Sequence, residues 1–478
     1  MNAHVPGPAG QHAVVIGAGM AGMLAAAVLS KHADVTVIER DTLPDRPDPR
    51  KCLPQARHVH LLWSGGVDAF ETILPGITDG WVAEGARRIS LPTDLVTMTA
   101  RGWIPRWPEM KFNVACSRDL LDLVVRRRVL AENANVSVLE RHTVEGLTGS
   151  ADQVTGVRVR GPEASTRTLR ADLVIDTSGR GSRALKWLGE LGVPEVRTKE
   201  VDSGLVYASR LFEAPRNRDG KPLDNLPIVN VQSNPSDHVP GRTATIVPIE
   251  GGRILGTLSG THFGQPTADP ADFVAFAKSI RHPIVGDLME GLIPLDDEVT
   301  VTRSTLNRRR LFEKTRMPRG FLAVGDSVAT FNPLYGQGMT VAAQGIVALD
   351  ALIGKHGLTG RTLTRKAQKA VGRRAAIAYE LASGQDIQYP GATGRDPLPG
   401  SGLADWYANR VMATASTEPA VAQALLDVIT MSEKPTAWLR PKTLLMVLRG
   451  PRSGAAPAGP TITEEEQGAF SRSLALSE

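Results

Sequence analysis

The sequence predicts an α/β protein that combines a parallel-sheet domain, a second domain on an antiparallel β-sheet, and a C-terminal helical region. Three patterns support this prediction. An apolar strand, a glycine-rich turn, a helix and a second strand follow one another between residues 13 and 39, which is the order of a βαβ unit. Long β-branched stretches dominate residues 201–310, and apolar residues at helical spacing continue from 362 to 448.

The parallel-sheet domain is expected to be discontinuous along the chain. Its buried-strand pattern returns near residues 172–175 and 320–325. We therefore assign to this domain the segments 11–90, 111–200 and 313–355.

The remaining segments complete the predicted architecture. Residues 91–110 and 201–312 are assigned to the antiparallel-sheet domain, in which 299–306 is predicted as one strand, and 356–450 to the helical region. The tail, 451–478, is rich in Pro, Gly and Ala and then acidic, a composition that predicts a flexible segment.

The composition excludes several classes of protein. With 42% hydrophobic and 22% charged residues, the 478-residue chain is an ordinary globular protein. The two cysteines, Cys52 and Cys116, cannot build a disulfide framework, so a reducing cytoplasm is expected. The net charge of +5 is spread thinly, and the short basic runs 126–128 and 308–310 do not predict a nucleic-acid partner. The uncharged run 13–30 contains the glycine-rich turn, which favours a buried strand and helix over a membrane span.

The turn at residues 17–22 reads Gly-Ala-Gly-Met-Ala-Gly between a strand and a helix. Gly17 permits the tight turn, Gly19 lets a pyrophosphate approach the backbone, and Gly22 lets helix and strand pack closely. Glu39 ends the second strand, where a carboxylate accepts hydrogen bonds from a ribose. A glycine-rich turn without a ligand is the plain alternative, but strand, helix and acidic residue together favour dinucleotide binding.

A second motif lies near residue 325. Gly325 and Asp326 end a predicted strand, and Pro333 and the run 336–338 precede a helix. A carboxylate at such a strand end can reach the ribityl hydroxyls of a flavin. The positive N-terminus of the following helix would stabilise an anionic reduced flavin. One more strand, turn and helix with an N-capping Asp is the alternative, but the pairing with the first motif favours a flavin.

A third motif, Asp-Thr-Ser-Gly-Arg-Gly-Ser-Arg at 176–183, agrees with these two. Together they resemble the FAD-dependent aromatic hydroxylase superfamily of single-component flavoprotein monooxygenases. Further runs at 50–51, 54–60, 62–66, 74–76, 115–118, 201–204, 303–305, 307–309 and 386–391 are most similar to the actinobacterial polyether epoxidases of the monensin and lasalocid type. The chain departs from the aromatic hydroxylases at Thr177, where they carry glycine, and this leaves the docking of the nicotinamide open.

The resemblance implies an FAD-binding Rossmann-like domain of the aromatic-hydroxylase (GR2) type and noncovalently bound FAD. Its predicted cofactor-binding residues are Gly17, Gly19, Met20, Ala21, Gly22, Glu39, Arg40, Lys51, Arg57, Arg118, Val144, Gly325, Asp326, Pro333, Gly336, Gln337, Gly338 and Met339. Trp103, Tyr207 and Val247 are predicted to contact the substrate, and a plain core aromatic is the equal alternative for Trp103. His58 and His60 have no accompanying carboxylate or cysteine cluster, so no metal site is expected.

The resemblance further implies an epoxidase that uses NADPH or NADH and O2. A flavin C4a-hydroperoxide would transfer oxygen to an alkene of a long polyene, a polyketide precursor of a polyether, without a catalytic residue of the protein. A large, mainly apolar cavity is expected between the 333–338 turn and the sheet segments 204–210 and 243–249. A hydroxylase of another natural product, an alkene reductase of the geranylgeranyl-reductase type and a flavin-stabilised binding protein are the alternatives, and the oligomeric state stays open.

Overall fold

The structure is a computed structural model that describes residues 10–51, 53–217, 219–223, 225–303, 306–394, 401–452 and 456–475. Cys52, Ser304 and Thr305 lie outside the described residues. The strands are β1 His12–Ile16, β2 Asp34–Ile38, β3 Leu61–Trp63, β4 Arg87–Leu91, β5 Leu95–Thr99, β6 Gly102–Trp103, β7 Lys111–Ala115, β8 Val136–Leu139, β9 Thr143–Gly149, β10 Val154–Arg160, β11 Thr166–Arg170, β12 Leu173–Asp176, β13 Thr198–Val201, β14 Val206–Glu213, β15 Ile228–Val231, β16 Arg242–Ile249, β17 Arg253–Gly260, β18 Thr300–Thr302, β19 Asn307–Arg310, β20 Phe321–Ala323 and β21 Ala329–Thr330.

The helices surround these sheets and fill the C-terminal part of the chain. They are α1 Met20–Leu29, α2 Ser64–Ile73, α3 Ile77–Ala83, α4 Arg118–Glu132, α5 Ala184–Glu190, α6 Pro270–Lys278, α7 Ile284–Glu290, α8 Gly338–His356, α9 Leu363–Asp386, α10 Ser401–Ala415, α11 Pro419–Ile429, α12 Pro441–Arg449 and α13 Glu464–Ala475. In the described ranges, no helix combines the length and apolarity that crossing a bilayer requires.

A parallel sheet of order β20-β12-β1-β2-β8 forms the centre of the first domain. Its strands are almost wholly buried, and α1 packs against the sheet, α4 and α8 through small and apolar side chains. Because parallel strands share their direction, the residues that follow β1, β12 and β20 meet at one edge. A Cβ on Gly325, after β20, would lie 3.3 Å from the Cβ of Ala21 in α1, so the turns are in close contact.

The second sheet has the order β18-β14-β17-β16-β15-β5-β6. It is mixed, because β15 and β5 pair in parallel while the other pairs are antiparallel. One face forms an apolar core with α6, α7 and α13. The opposite face points toward the first domain, since Ser209 and Thr257 on it contact His58 and Val59 of the loop before β3. The predicted α/β class with further sheets and C-terminal helices is confirmed.

The prediction of one strand over 299–306 is wrong. β18 ends at Thr302, and Asn307 begins β19, which pairs with β13 and β21 in a separate sheet. The chain therefore leaves the second sheet between these residues, and the continuous β-branched pattern hides this change of sheet.

Within the tail, residues Glu464–Ala475 form α13, which packs on the second sheet, so the expectation of a flexible segment is wrong for this part of the tail. Phe470 of α13 is buried in the core of the second sheet, at 1% exposure. Thr463 and Glu466 form a capping box: Glu466 N donates to Thr463 Oγ1 at 3.1 Å, and Thr463 N donates to Glu466 Oε2 at 2.9 Å. Glu466 also pairs with Arg106 at 2.6 Å. The polar composition concealed a helix that tertiary contacts stabilise.

We expect Phe470→Ala to destabilise the protein by about 3–5 kcal/mol, because it leaves a cavity in the core beneath the second sheet. Denaturant unfolding followed by circular dichroism measures this change. Leu448→Ala is the control, since Leu448 is 51% exposed on α12 and its truncation should leave the unfolding midpoint unchanged. Equal midpoints for Phe470→Ala and the unmodified protein would contradict the packed position of α13.

Candidate functional site

The first part of the site is the turn between β1 and α1. Gly17 has φ +98°, and its N–H donates to the Ile38 carbonyl at 2.8 Å. A Cβ on Gly17 would lie 2.9 Å from the Thr177 carbonyl oxygen, and a Cβ on Gly22 would lie 1.9 Å from the Gly17 carbonyl oxygen. A Cβ on Gly19 would meet no described atom within 4 Å. The turn is thus closed on the protein side and open at Gly19, where the motif predicts a pyrophosphate.

Glu39 lies buried directly after β2. Its Oε2 accepts hydrogen bonds from Ala18 N at 2.9 Å and from Arg50 Nη2 at 2.6 Å, and its Oε1 accepts one from Asp41 N at 3.0 Å. A carboxylate offers about four acceptor positions, so one on Oε1 remains for a ribose hydroxyl. The neighbouring Arg40 side chain is exposed.

Thr177 stands where the aromatic hydroxylases carry glycine. Its Oγ1 donates to the Ile16 carbonyl at 2.8 Å and lies 3.0 Å from the Gly17 carbonyl. The side chain is buried beneath the first turn, so it supports that turn. The preceding Asp176 accepts a hydrogen bond from Ser182 Oγ at 2.5 Å and holds the next turn in place.

Asp326 follows β20 at the same edge of the sheet. It is half-buried and accepts no hydrogen bond from any residue that the structure describes. Burial raises the pKa of this carboxyl, while three nearby guanidinium groups oppose that change, those of Arg118, Arg180 and Arg308. A partly buried carboxylate without a protein donor requires polar partners, and ribityl hydroxyls would supply them.

The turn before α8 is rigidly held. Asn332 caps the 3-10 helix Pro333–Tyr335, and Gly336 has φ +63°. Trp63 Nε1 donates to the Tyr335 carbonyl at 3.0 Å, and a Cβ on Gly336 would lie 2.6 Å from that nitrogen. Only glycine therefore fits both the backbone angle and the contact with the indole.

The N-terminus of α8 faces Asp326. A Cβ on Gly338 would lie 3.9 Å from Asp326 Oδ1, and no acidic residue occupies the first turn, which includes Met339. Gln337 is buried and donates to the Ile429 carbonyl at 3.3 Å, whereas its Oε1 has no partner within the described residues. The free N–H groups and positive potential of this helix end suit an electron-rich ring.

His58 connects the loop before β3 to the second sheet. Its ring nitrogens lie 2.8 Å from Ser209 Oγ and 2.7 Å from Thr302 Oγ1. Burial lowers the pKa of His58 to about 4, so the ring is neutral at pH 7. Val59 N donates to Thr257 Oγ1 at 3.0 Å. These bonds show that Ser209 and Thr257 face the first domain.

The other predicted cofactor residues lie in different environments. Lys51 is exposed, and Arg57 is exposed and pairs with Glu298 at 2.8 Å. Arg118, in the first turn of α4, donates to Asp122 Oδ1 at 3.1 Å. Val144 is buried in β9 within the core of the first domain. Only Arg118 among these four is shown to interact with Asp326.

Two of the predicted substrate residues lie on the sheet face that points toward the first domain. The Tyr207 hydroxyl donates to Asn332 Oδ1 at 2.7 Å, which joins this face to the turn before α8. Val247 packs in an apolar cluster with Leu255 and the partly buried Leu211. Trp103, by contrast, is buried on the opposite face beside His282, so the structure does not bring it to the site. Successive side chains of a strand point to opposite faces of the sheet, which explains why Trp103 lies on the face away from the site.

This sheet face is more polar than expected. Paired positions on five neighbouring strands carry a row of polar side chains, here called the polar row: Ser209, Thr257, Thr245, Asn230 and Thr97. Asn230 donates to Thr245 Oγ1 at 2.5 Å, and Ser209 and Thr257 are 2.6 Å apart. Sequence analysis missed the row, although the alternation of Thr243 with Thr245 and of Thr257 with Ser259 marks one face.

Arg50 is not among the predicted cofactor-binding residues, but the structure places it against the turn between β1 and α1. It is buried against Glu39 and Ala18, and its Nε has no partner within the described residues. No local pattern distinguishes this arginine from others in the charged loop. No group of three or more metal-ligating side chains is found in the described ranges.

These features fit FAD. The open cradle at Gly19, the spare acceptor of Glu39, the unbonded Asp326 carboxylate and the α8 N-terminus would receive pyrophosphate, ribose, ribityl chain and flavin ring in turn. All four lie at the edge of one parallel sheet or in contact with it.

We expect Gly19→Ala to fold normally but to bind FAD about tenfold more weakly or worse, since its methyl group would occupy only the space of the pyrophosphate. Fluorescence titration of FAD into apoprotein and thermal unfolding measure the two effects. Gly22→Ala is the matched comparison: its Cβ would collide with Gly17, so it should lower the unfolding temperature of the apoprotein. Unchanged FAD affinity of the Gly19→Ala protein would contradict the cradle.

Comparisons with known proteins agree with this geometry. The family model described as "FAD binding domain" matches residues 11–381. The chain is 30% identical to Protein Rv3254 of Mycobacterium tuberculosis, over 88% of this chain and 90% of that protein, and 26% identical to kynurenine 3-monooxygenase of Salinispora tropica, over 72% and 73%. The p-nitrophenol 4-monooxygenase PnpA from Pseudomonas putida shares the fold, with a TM-score of 0.56, 18% identity and coverage of 93% and 99%. The chain therefore belongs to the FAD binding domain family.

Proposed function

We propose that this protein is an epoxidase that uses FAD, NADPH or NADH, and O2 to oxidise one or more alkenes of a long polyene, a polyketide chain. The observation that carries this proposal is the hydrogen bond between Tyr207 and Asn332. The face of the second sheet that carries Tyr207, Val247 and the polar row is here called the substrate face, because the proposed substrate would lie against it. The hydrogen bond sets this face directly against the turn that would hold the flavin ring.

The sheet face supports a long substrate with both apolar and oxygen-bearing parts. Strands lie about 4.8 Å apart, so the polar row, which crosses five strands, extends over roughly 19 Å. The adjacent apolar side chains of Leu211, Leu255 and Val247 run beside it. This pairing suits a polyene with regularly spaced oxygen groups better than a small ionic substrate.

The protein's role is to bind and orient the cofactor and the substrate and to exclude water from them. When bound, FAD supplies the oxygen-transfer chemistry, with NAD(P)H as reductant and O2 as oxidant. The chain's own groups would hold the cofactor at Asp326 and at the α8 N-terminus. His58 is neutral at pH 7, so at this pH it serves as a hydrogen-bonding group and not as a general acid. Oxygen transfer to an alkene needs no protein nucleophile, which agrees with the lack of an assigned catalytic residue.

A second candidate function is hydroxylation of another natural product. The polar row favours it, because a more compact oxygenated ring could bind there. Likeness to kynurenine 3-monooxygenase points the same way. Alkene reduction is the third candidate, and the product distinguishes all three.

Asp326→Ala is expected to lose most of its bound FAD. The change removes hydrogen bonds to a charged group, worth roughly 1.5–3 kcal/mol each, and so weakens binding about tenfold or more. The ratio of flavin absorbance to protein absorbance after gel filtration measures occupancy, and heating should release the flavin into the supernatant. Asp350→Ala is the control, because this α8 residue pairs with Lys31 at the protein surface. Full occupancy of the Asp326→Ala protein would show that the ribityl chain lies elsewhere.

The reaction itself is tested with 18O2. A polyene incubated with the enzyme, NAD(P)H and 18O2 should gain one labelled oxygen, and mass spectrometry should find an epoxide. An anaerobic incubation is the control and should give no product. Labelled oxygen in a hydroxyl on an intact ring would favour the hydroxylase. Oxygen taken from water, or a gain of two hydrogens without O2, would contradict oxygen transfer altogether.

A further inference from the structure

The carboxylate of Asp386 is buried at the C-terminus of α9 and is held by neutral donors. The side chain is 1% exposed. It accepts hydrogen bonds from Asn307 Nδ2 at 2.7 Å, from Asn332 Nδ2 at 3.0 Å and from the Tyr335 hydroxyl at 3.2 Å. Within the described residues, no Lys or Arg forms an ion pair with it.

These donors belong to the elements that meet at the site. Asn307 begins β19, and its Oδ1 accepts a hydrogen bond from Asn332 N at 2.6 Å. Asn332 caps the turn before α8 and receives the Tyr207 hydroxyl of β14. Tyr335 lies in that turn and directs its backbone carbonyl to Trp63. The Asp386 carboxylate therefore bonds two residues of this turn directly and reaches the substrate face of the second sheet through Asn332.

Stability alone does not explain an anion at this position. Burial without a cation disfavours an ionised carboxylate, and the negative end of the α9 dipole disfavours it further. Burial is the larger effect on the pKa of Asp386 and raises it to about 6, although hydrogen bonds from four neutral side chains oppose the change, those of Asn307, Asn332, Tyr335 and Ser203. A buried carboxylate with this free-energy cost is kept in a protein where its hydrogen bonds fix the positions of the groups around it.

We propose that Asp386 is a positioning residue that fixes the 332–336 turn, and with it the flavin ring, relative to the substrate face of the second sheet. This role rests on the proposed flavin position but not on epoxidation. A carboxylate is required because it only accepts hydrogen bonds, and all its neighbours donate. An amide at residue 386 would turn an N–H group toward the Asn307 or Asn332 amides.

The test compares Asp386→Asn with the double variant Asp386→Asn/Asn332→Asp in the FAD-loaded protein. The double variant exchanges carboxylate and amide. One oxygen of the carboxylate at position 332 can still accept from Tyr207 and from Leu334 N, while the amide at position 386 donates to its other oxygen. We expect Asp386→Asn to weaken FAD binding about tenfold and to change the visible spectrum of the bound flavin, and the exchange to restore most of both. Asp350→Asn on α8 is the control.

A pH series adds a readout independent of the cofactor. The titratable groups facing Asp386 are Tyr207, Tyr335 and Tyr389, and burial raises the pKa of each, so they stay neutral below pH 8. Because the folded pKa of Asp386 lies above the ordinary value of 3.8, its contribution to stability is full below pH 4 and is lost as the pH rises through about 6. The unfolding temperature of Asp386→Asn apoprotein, relative to the unmodified protein, should therefore increase between pH 4 and pH 7.

The outcomes separate the possibilities. Wild-type FAD affinity and spectrum in the Asp386→Asn protein would overturn the proposal, whatever the product assay shows. If that variant does not fold, Tyr335→Phe replaces it, since this change removes only the hydroxyl that donates to Asp386 and Gln385. An altered flavin spectrum in Tyr335→Phe then supports the proposal, and an unaltered one overturns it. Weakened FAD binding and an altered flavin spectrum in the Asp386→Asn protein, combined with a non-epoxide product from the unmodified protein, would support the positioning role and contradict the proposed function.

Discussion

The close approach of α1 to β1 is the constraint on which the site depends. The Gly22 position lies so near the Gly17 carbonyl that any Cβ would collide, and Gly17 itself turns with a positive φ. This contact points the start of α1 at the open space beside Gly19. The same helix packs against α8, whose first residue, Gly338, lies beside Asp326. The contact between Gly22 and Gly17 thus helps to fix where the predicted pyrophosphate site lies relative to the predicted site of the flavin ring.

Neutral hydrogen bonds join the second sheet to the loop before β3 and to the turn before α8. His58 binds Ser209 and Thr302, and Tyr207 binds Asn332. Each such bond contributes only about 0.5–1.5 kcal/mol, but a buried partner left without its bond costs more. The network therefore gives limited stability and strict geometry, which is what the proposed reaction between a bound cofactor and a long substrate requires.

The sequence was most informative where function depends on local pattern. The strand, glycine turn and helix around Gly17 and Gly19 could be predicted, because backbone chemistry demands glycine there. The course of the chain after Thr302 could not, since a change of sheet leaves no local mark. The α13 capping box at Thr463 and Glu466 was not recognised, because the tail was interpreted from its composition alone. The polar row and the Asp386 network join residues far apart in the sequence, so only the fold brings them together.

The position of α13 also affects how the protein can be made in the cell. β5, at residues 95–99, is synthesised long before Phe470, although both contribute to the same apolar core. The core of the second domain therefore stays incomplete until Phe470 has been synthesised, and its unfinished apolar surface is exposed until then. A chaperone that recognises exposed apolar surface would therefore bind the nascent chain between the synthesis of these two segments.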